Sequence, residues 1–166
     1  MRPNHTRGRS RVQPMDRTTD HMPIVHLIRH AKAKGRDQWD GGDDAERPLK
    51  KSGRRQALQL AEQFADPAPG LIISSPAVRC IETITPLAER FSCSVTVDDL
   101  YFEGRRIVLP EIQGVAVICA HGDNIPDLLG RLKLQWYQCA KASTWRLELD
   151  DDQKIIDAQY IEPPQT

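Results

Sequence analysis

The stretch Ile24-Val25-His26-Leu27-Ile28-Arg29-His30-Ala31 decides the fold of this 166-residue chain. Its first five residues are mostly aliphatic and β-branched, and the run stops at the basic pair Arg29-His30. A short apolar run of this kind is typical of a buried parallel strand that opens into a loop at its carboxyl end. We therefore predict a first strand over residues 24–28, followed by a basic loop. His26, inside the strand, is interpreted as a structural or surface residue.

The order of strand, loop and helix recurs downstream of this first strand. Short apolar runs predict further strands over residues 71–73, 95–97 and 115–119. Apolar residues at helical spacing predict helices marked by residues 57–65, by residues 81–91 after Pro76, and by residues 125–132. The polar stretch over residues 32–47, rich in Gly and Asp, predicts a loop over a site.

The carboxyl-terminal part of the chain follows a different pattern. Residues 143–149 and 154–161 alternate between apolar and polar side chains, and three aspartates at 150–152 separate them. This pattern predicts an antiparallel hairpin at a sheet edge. The expected fold is therefore α/β, a three-layer α/β/α sandwich around a mostly parallel sheet that ends in this hairpin.

Composition narrows the class of protein. The chain is 39% hydrophobic and 28% charged, and Lys+Arg and Asp+Glu are both 23. Such a balance disfavours a nucleic-acid-binding protein or a membrane-surface protein, because both need a basic excess. Residues 1–22 hold five arginines and two aspartates, and we predict a basic, disordered tail there, with a nucleic-acid-binding arm as the alternative. Residues 23–166 are predicted to form one domain.

The sequence also disfavours membrane proteins, disulfide scaffolds and zinc proteins. It contains no apolar run near the roughly 18 residues that a membrane span needs, so no membrane partner is expected. The cysteines have neither CxxC nor Cys/His ligand spacing, which indicates neither a disulfide scaffold nor a zinc site; they are Cys80, Cys93, Cys119 and Cys139. We expect reduced thiols, a cytoplasmic location and no cofactor.

Three predicted strands end in polar or basic groups. These groups are Arg29-His30, then Ser74-Ser75 with Arg79 one turn later, and then His121-Gly122. Because ligands of open α/β sheets bind beyond the carboxyl ends of the strands, we expect these side chains to share one pocket. Arginine offers planar paired donors that match phosphate oxygens. The sequence therefore predicts a site for a phosphate dianion, with Arg47 available from the loop.

The ordered motifs resemble the histidine phosphatase superfamily, also called phosphoglycerate mutase-like, over about residues 23–162. The matching segments are Leu27-Ile28-Arg29-His30-Ala31, Arg47-Pro48-Leu49, Ser74-Ser75-Pro76 with Arg79 and Thr83, and Ala120-His121-Gly122. The short length and the Arg-Pro-Leu segment are similar to the SixA phosphohistidine phosphatase branch. Other segments are similar to the carboxyl-terminal domain of actinobacterial MutT-type nudix hydrolases, although no nudix box is present.

The resemblance implies a role for each matching residue. His30 would attack phosphorus and carry the phosphoryl group, and Arg29 and Arg79 would grip its oxygens. His121 would donate to the same oxygens, and Arg47 and Gly122 would contact the substrate. The implied chemistry needs no metal and takes a phosphorylated substrate.

One departure concerns the proton donor. Phosphomonoesterases of the superfamily often carry a Glu two positions after the Leu that ends the third strand, and here Phe102 occupies that position after Leu100. Glu103 follows one residue later and is the candidate donor, with Asp123 as an outside candidate. A phosphorylated imidazole leaves without strong acid assistance, so the departure favours a SixA-like phosphohistidine phosphatase. The alternatives are a small-molecule phosphomonoesterase, acting on nucleotides or sugar phosphates, and a non-catalytic phosphate-binding module.

Overall fold

One sheet in the order β3-β2-β4-β1-β5-β6 forms the centre of the computed structural model, which describes residues 22–135 and 138–166. Its strands are β1 (Ile24–Arg29), β2 (Leu71–Ser74), β3 (Thr96–Val97), β4 (Val115–Ala120), β5 (Thr144–Leu149) and β6 (Ile155–Ile161). The pairs β3-β2, β2-β4 and β4-β1 are parallel, whereas β5 runs antiparallel to both β1 and β6. The mostly parallel sheet and its carboxyl-terminal hairpin are therefore confirmed.

Helices cover both faces of the sheet. In the described part of the chain these are α1 (Lys51–Gln63), α2 (Val78–Arg90) and α3 (Asn124–Arg131). Alternate residues of β4 explain the two layers: Ala116 and Ile118 belong to the core that includes α3, and Val117 and Cys119 belong to the core under α1 and α2. Because both faces are buried, β4 is apolar throughout, and the three-layer architecture is confirmed.

The first two helices differ in detail from the sequence prediction. Helix α1 ends at Gln63, and Phe64 and Ala65 lie beyond it. Arg90 donates hydrogen bonds to carbonyl groups at that end, including the one of Phe64, and so satisfies groups that the helix end leaves without partners. Helix α2 begins at Val78 and not at Pro76.

The sequence predicts a buried stripe of α2 at Ile81, Ile84, Ala88 and Phe91, and of these Ile84 and Ala88 are buried. Cys80, Ile84 and Leu87 are buried, whereas Ile81 and Phe91 are partly exposed. Helix α2 packs against α1 as well as against the sheet, so more of its surface is covered than a one-sided stripe accounts for.

Two sequence predictions concern the ends of the chain and its setting. The basic tail lies outside the described residues, apart from Met22, and stays a prediction, as does the single domain over residues 23–166. Among the residues that the structure describes, no helix has the length and apolar character that crossing a membrane requires.

Candidate active site

The carboxyl ends of β1, β2 and β4 meet at one edge of the sheet, as the sequence predicts. Side chains from all three strand ends are buried there: His30 is 7% exposed, and Arg79 and His121 are each 1% exposed. The ring centroids of His30 and His121 lie 5.4 Å apart. The structure thus brings residues separated by some 90 positions of sequence into one cluster.

His30 is held as a neutral imidazole with one defined tautomer. Its Nδ1 lies 2.8 Å from the carbonyl oxygen of Ala31, which only accepts hydrogen bonds, so Nδ1 carries the proton. Burial, opposed by that hydrogen bond and reinforced by the charges of His121, Arg79 and Arg29, lowers the pKa of His30 to about 3. The lone pair on Nε2 is therefore available at neutral pH.

His121 is held in place through its ring nitrogen Nε2 and its backbone. Nε2 lies 2.8 Å from the Ser75 hydroxyl and 3.6 Å from the Cys80 thiol. The backbone N–H of His121 donates to the Asn124 side chain over 2.9 Å. Nδ1 is buried and has no hydrogen-bond partner within residues 22–135 and 138–166. This nitrogen is the atom of His121 left for a ligand.

Arg29 lies between Gly122, in the loop that follows β4, and the segment that precedes β5. Its Nη1 donates to the carbonyl oxygen of Cys139 over 2.6 Å, and its buried Nε has no partner in the described part of the chain. A Cβ at Gly122 would lie 2.5 Å from the guanidinium carbon of Arg29, so only glycine leaves room for this packing. Gly122 thereby makes room for Arg29, and its contact with the substrate stays a prediction.

Arg79 is bound by two acidic residues. Its Nη2 donates to Glu103 Oε2 over 2.8 Å, and its Nη1 donates to the backbone oxygen of Asp44 over 2.9 Å and lies 3.3 Å from the Asp44 carboxylate. Its Nε is buried and has no hydrogen-bond partner in the described part of the chain, so a phosphate can bind this nitrogen directly. A phosphate that uses Nη1 or Nη2 must replace oxygens of Asp44 or Glu103. Glu103 also lies 3.5 Å from Arg36, which links the two loops above the site.

The remaining candidates from the sequence lie close to this cluster. Arg47 is buried, and its Nε donates to Asp44 over 2.9 Å and its Nη1 to the Lys34 carbonyl over 2.6 Å. Two of its nitrogens therefore bind the loop that contains Asp44 and Lys34. Asp123 accepts from the backbone of Gly104 over 2.7 Å and so holds the segment that carries Glu103. The ring of Phe102 lies 5.9 Å from that of His121. The substrate contact of Arg47 stays a prediction.

Sequence reasoning missed the supporting polar residues. Thr83 accepts from the backbone of Ala31 over 2.9 Å, and Asn124 donates to the carbonyls of Tyr101 and Phe102. Ser75 accepts from the backbone N–H of Ala77 over 3.3 Å, as a residue that caps a helix does, and its hydroxyl also lies 2.8 Å from His121 Nε2. Ser75 and Thr83 carried a sequence signal, since both belong to the motif around Arg79, whereas Asn124 carried none.

His26, which the sequence interprets as a structural or surface residue, is buried. It is 4% exposed and lies 2.8 Å from Asp66, which Arg146 of β5 also binds through two nitrogens, at 2.7 and 3.0 Å.

The described residues contain no group of three or more His, Cys, Asp or Glu side chains that could hold a metal ion.

Comparisons with known proteins agree with this arrangement. Residues 25–103 match the family model of the histidine phosphatase superfamily (branch 1). The 8-oxo-(d)GTP phosphatase of Mycolicibacterium smegmatis is 32% identical over 169 residues, which cover 92% of this chain and 50% of that protein. The chain thus spans about half the length of this curated relative.

Two solved structures share the fold at lower identity. The protein histidine phosphatase SixA complexed with tungstate is 14% identical with a TM-score of 0.62, covering 84% of this chain and 94% of that chain. The mycobacterial glucosyl-3-phosphoglycerate phosphatase in complex with VO3 is 18% identical with a TM-score of 0.62, covering 86% of this chain and 100% of that one. At this level of identity the likeness concerns the fold.

Proposed function

The chain belongs to the histidine phosphatase superfamily, a superfamily of phosphatase hydrolases, and from this premise we propose that it hydrolyses its substrate through a phosphohistidine on His30. The observation that carries the proposal is the hydrogen bond from His30 Nδ1 to the Ala31 carbonyl. It leaves Nε2 with a free lone pair beside Arg29, Arg79 and His121, which is the state that a nucleophile needs.

The proposed reaction has two displacement steps. In the first, His30 Nε2 forms a bond to phosphorus while the bond to the leaving group breaks and the leaving group keeps the electron pair. In the second, water attacks phosphorus, the bond to Nε2 breaks, and orthophosphate is released. Arg29, Arg79 and His121 stabilise the negative charge that spreads over the phosphoryl oxygens in both steps.

Proton donation distinguishes the candidate substrates. Phe102 supplies no proton, and the Glu103 carboxylate is engaged by Arg79 at 2.8 Å, so we propose substrates whose leaving group departs without a strong acid. A phosphohistidine side chain of a protein meets this condition, and the SixA-like reading of the sequence makes it the first candidate. Nucleotides are the second candidate, because the relative that is 32% identical is named for action on 8-oxo-(d)GTP.

A non-catalytic phosphate-binding module is disfavoured by the two histidines. A binding site needs only cationic donors, whereas a neutral imidazole with a free Nε2 adds little affinity for a dianion. The chemical state of His30 therefore supports an enzyme.

Labelling of the intermediate tests the proposal. We expect a ³²P-labelled substrate to leave acid-labile, alkali-stable label on His30 after rapid quenching. His30→Ala should keep the circular dichroism spectrum and lose the label together with essentially all turnover. His26→Gln, normalised to folded protein, is the matched control, because His26 is also buried but contacts Asp66. Label on another residue, or turnover retained in His30→Ala, would refute the assignment of the nucleophile.

A further inference from the structure

Three lysines are tied to the backbone around His30 and define what we call the cationic rim: Lys32, Lys50 and Lys141. The Lys50 N–H donates to the Lys32 carbonyl over 3.0 Å. A Cβ at Gly53 would lie only 2.0 Å from the same oxygen, so the start of α1 is pressed against residue 32. These contacts hold Lys32 and Lys50 side by side.

Lys141 joins the group through the residue that follows it. The Ala142 N–H lies 3.0 Å from the carbonyl oxygen of Arg29 and 3.2 Å from that of His30, and it donates to both. Partial desolvation, followed by the nearby charges of Arg29, Arg47, Lys50 and Lys32, lowers the pKa of Lys141. The backbone contacts of Lys32, Lys50 and Ala142 therefore place the three lysines of the rim around Arg29 and His30.

Carboxylates do not neutralise the rim. Within residues 22–135 and 138–166, none of its three lysines forms an ion pair. Asp44 is bound to Arg47 and Arg79, and Glu82 accepts from the backbone of Leu49 and pairs with Arg54. Uncompensated positive charge beside a pocket raises the local concentration of anionic ligands.

We propose that the cationic rim binds a second phosphate group of the substrate, so that the bond broken at His30 is a phosphoanhydride. This inference rests on the proposed phosphohistidine mechanism at His30. Of the two candidate substrates it selects the second, nucleotides that end in a pyrophosphoryl group, over a phosphohistidine protein. His30 Nε2 would attack the terminal phosphorus, the P–O–P bond would break, and the shortened phosphate would leave with the electron pair. Water would then release orthophosphate from His30.

The leaving group and the rim fit each other chemically. A departing phosphate is a weak base and needs little protonation, which agrees with the absence of a free acid at Phe102 and Glu103. Ammonium groups next to it stabilise the charge that develops on the departing oxygen. The positive charge of the proposed rim thus stabilises the departing phosphate without the proton that a general acid would donate.

Binding of inorganic probes tests the rim independently of turnover. We expect pyrophosphate to bind wild-type protein at least about tenfold more tightly than orthophosphate in calorimetric titrations at low ionic strength. In Lys50→Met/Lys141→Met the ratio of the two dissociation constants should fall by about tenfold. The matched control, Lys133→Met/Lys154→Met, removes two exposed lysines outside the rim and should keep the ratio.

The outcomes separate the rim from the proposed function. A wild-type ratio near one, or an equal fall in both double variants, overturns the rim. If pyrophosphate is preferred but no substrate labels His30, the proposed function fails and the rim stands. If a phosphohistidine peptide labels His30 while pyrophosphate has no binding advantage, the proposed function stands and the rim fails. Turnover of nucleoside diphosphate against monophosphate then shows whether a nucleotide is the source of the second phosphate.

Discussion

Glu103→Gln is the most informative single substitution in this protein. The change keeps the shape of the side chain but removes the charge that Oε2 presents to Arg79 at 2.8 Å. If Glu103 is only a competitor for Arg79, phosphate should bind the variant more tightly, because the incoming dianion no longer displaces a carboxylate. If Glu103 is the proton donor, the variant should instead lose turnover of substrates with poor leaving groups.

The structure sets the size of the first effect. The Glu103 side chain is 38% exposed, so solvent screens the ion pair and its contribution lies within the range of about 0.2–1 kcal/mol measured for exposed pairs. Since about 1.4 kcal/mol corresponds to a tenfold change in affinity, orthophosphate or vanadate should bind up to about fivefold more tightly. General acid catalysis, in contrast, is worth about 10²–10⁴-fold. A competitor role therefore predicts a small gain in phosphate affinity, whereas a proton-donor role predicts a large loss of turnover.

The assay compares binding and turnover in the same preparations. Orthophosphate affinity is measured by titration calorimetry, and kcat/KM is measured with para-nitrophenyl phosphate and with an alkyl phosphate. We expect turnover of para-nitrophenyl phosphate to stay within a few-fold of the parent. Glu111→Gln is the control, because it removes an exposed carboxylate that forms no ion pair within the described ranges. Robust alkyl phosphate turnover in the parent, with a collapse of 10²-fold or more in Glu103→Gln, would refute the reasoning and make Glu103 the acid.

Two predictions concern titration and stability. With a pKa of about 3, His30 should stay neutral from pH 7 to pH 5, whereas an ordinary imidazole is only about 3% neutral at pH 5. Because the unfolded chain then binds a proton that folded His30 does not, the free energy of unfolding should decrease as the pH falls from about 6.5 towards 3. NMR titration of labelled histidine, assigned with His30→Ala, checks this, and a midpoint near 6.5 contradicts it. Asp66→Asn should cost about 1–3 kcal/mol of stability in urea unfolding, because Asp66 binds both His26 and Arg146 and is 17% exposed. Asp127→Asn, whose partner Arg131 lies one turn away and whose side chain is 51% exposed, should cost under about 1 kcal/mol, and equal losses would contradict the prediction.

The pattern of residues along the chain was enough to predict the architecture. A strand that is buried on both faces, such as β4, needs apolar residues at every position. A hairpin with one solvent-exposed face needs apolar and polar residues in alternation. Both patterns are local, so they can be read within a few residues of sequence. Arg29, His30, Arg79 and His121 could be placed together because the carboxyl ends of parallel strands share one edge.

Tertiary structure decided which partner each of these side chains has. The hydrogen bond from Arg79 to Glu103 spans 24 positions of sequence, the bond from Arg79 to the backbone of Asp44 spans 35, and the contact between Ser75 and His121 spans 46. Each is the outcome of a competition among several donors and acceptors that folding buries together, and no local pattern states which acceptor wins. The sequence by itself therefore determined the strands, the edge where the site lies and the residue types that meet there. Packing decided that His30 is neutral with a free Nε2, because the burial that lowers its pKa exists only in the folded chain.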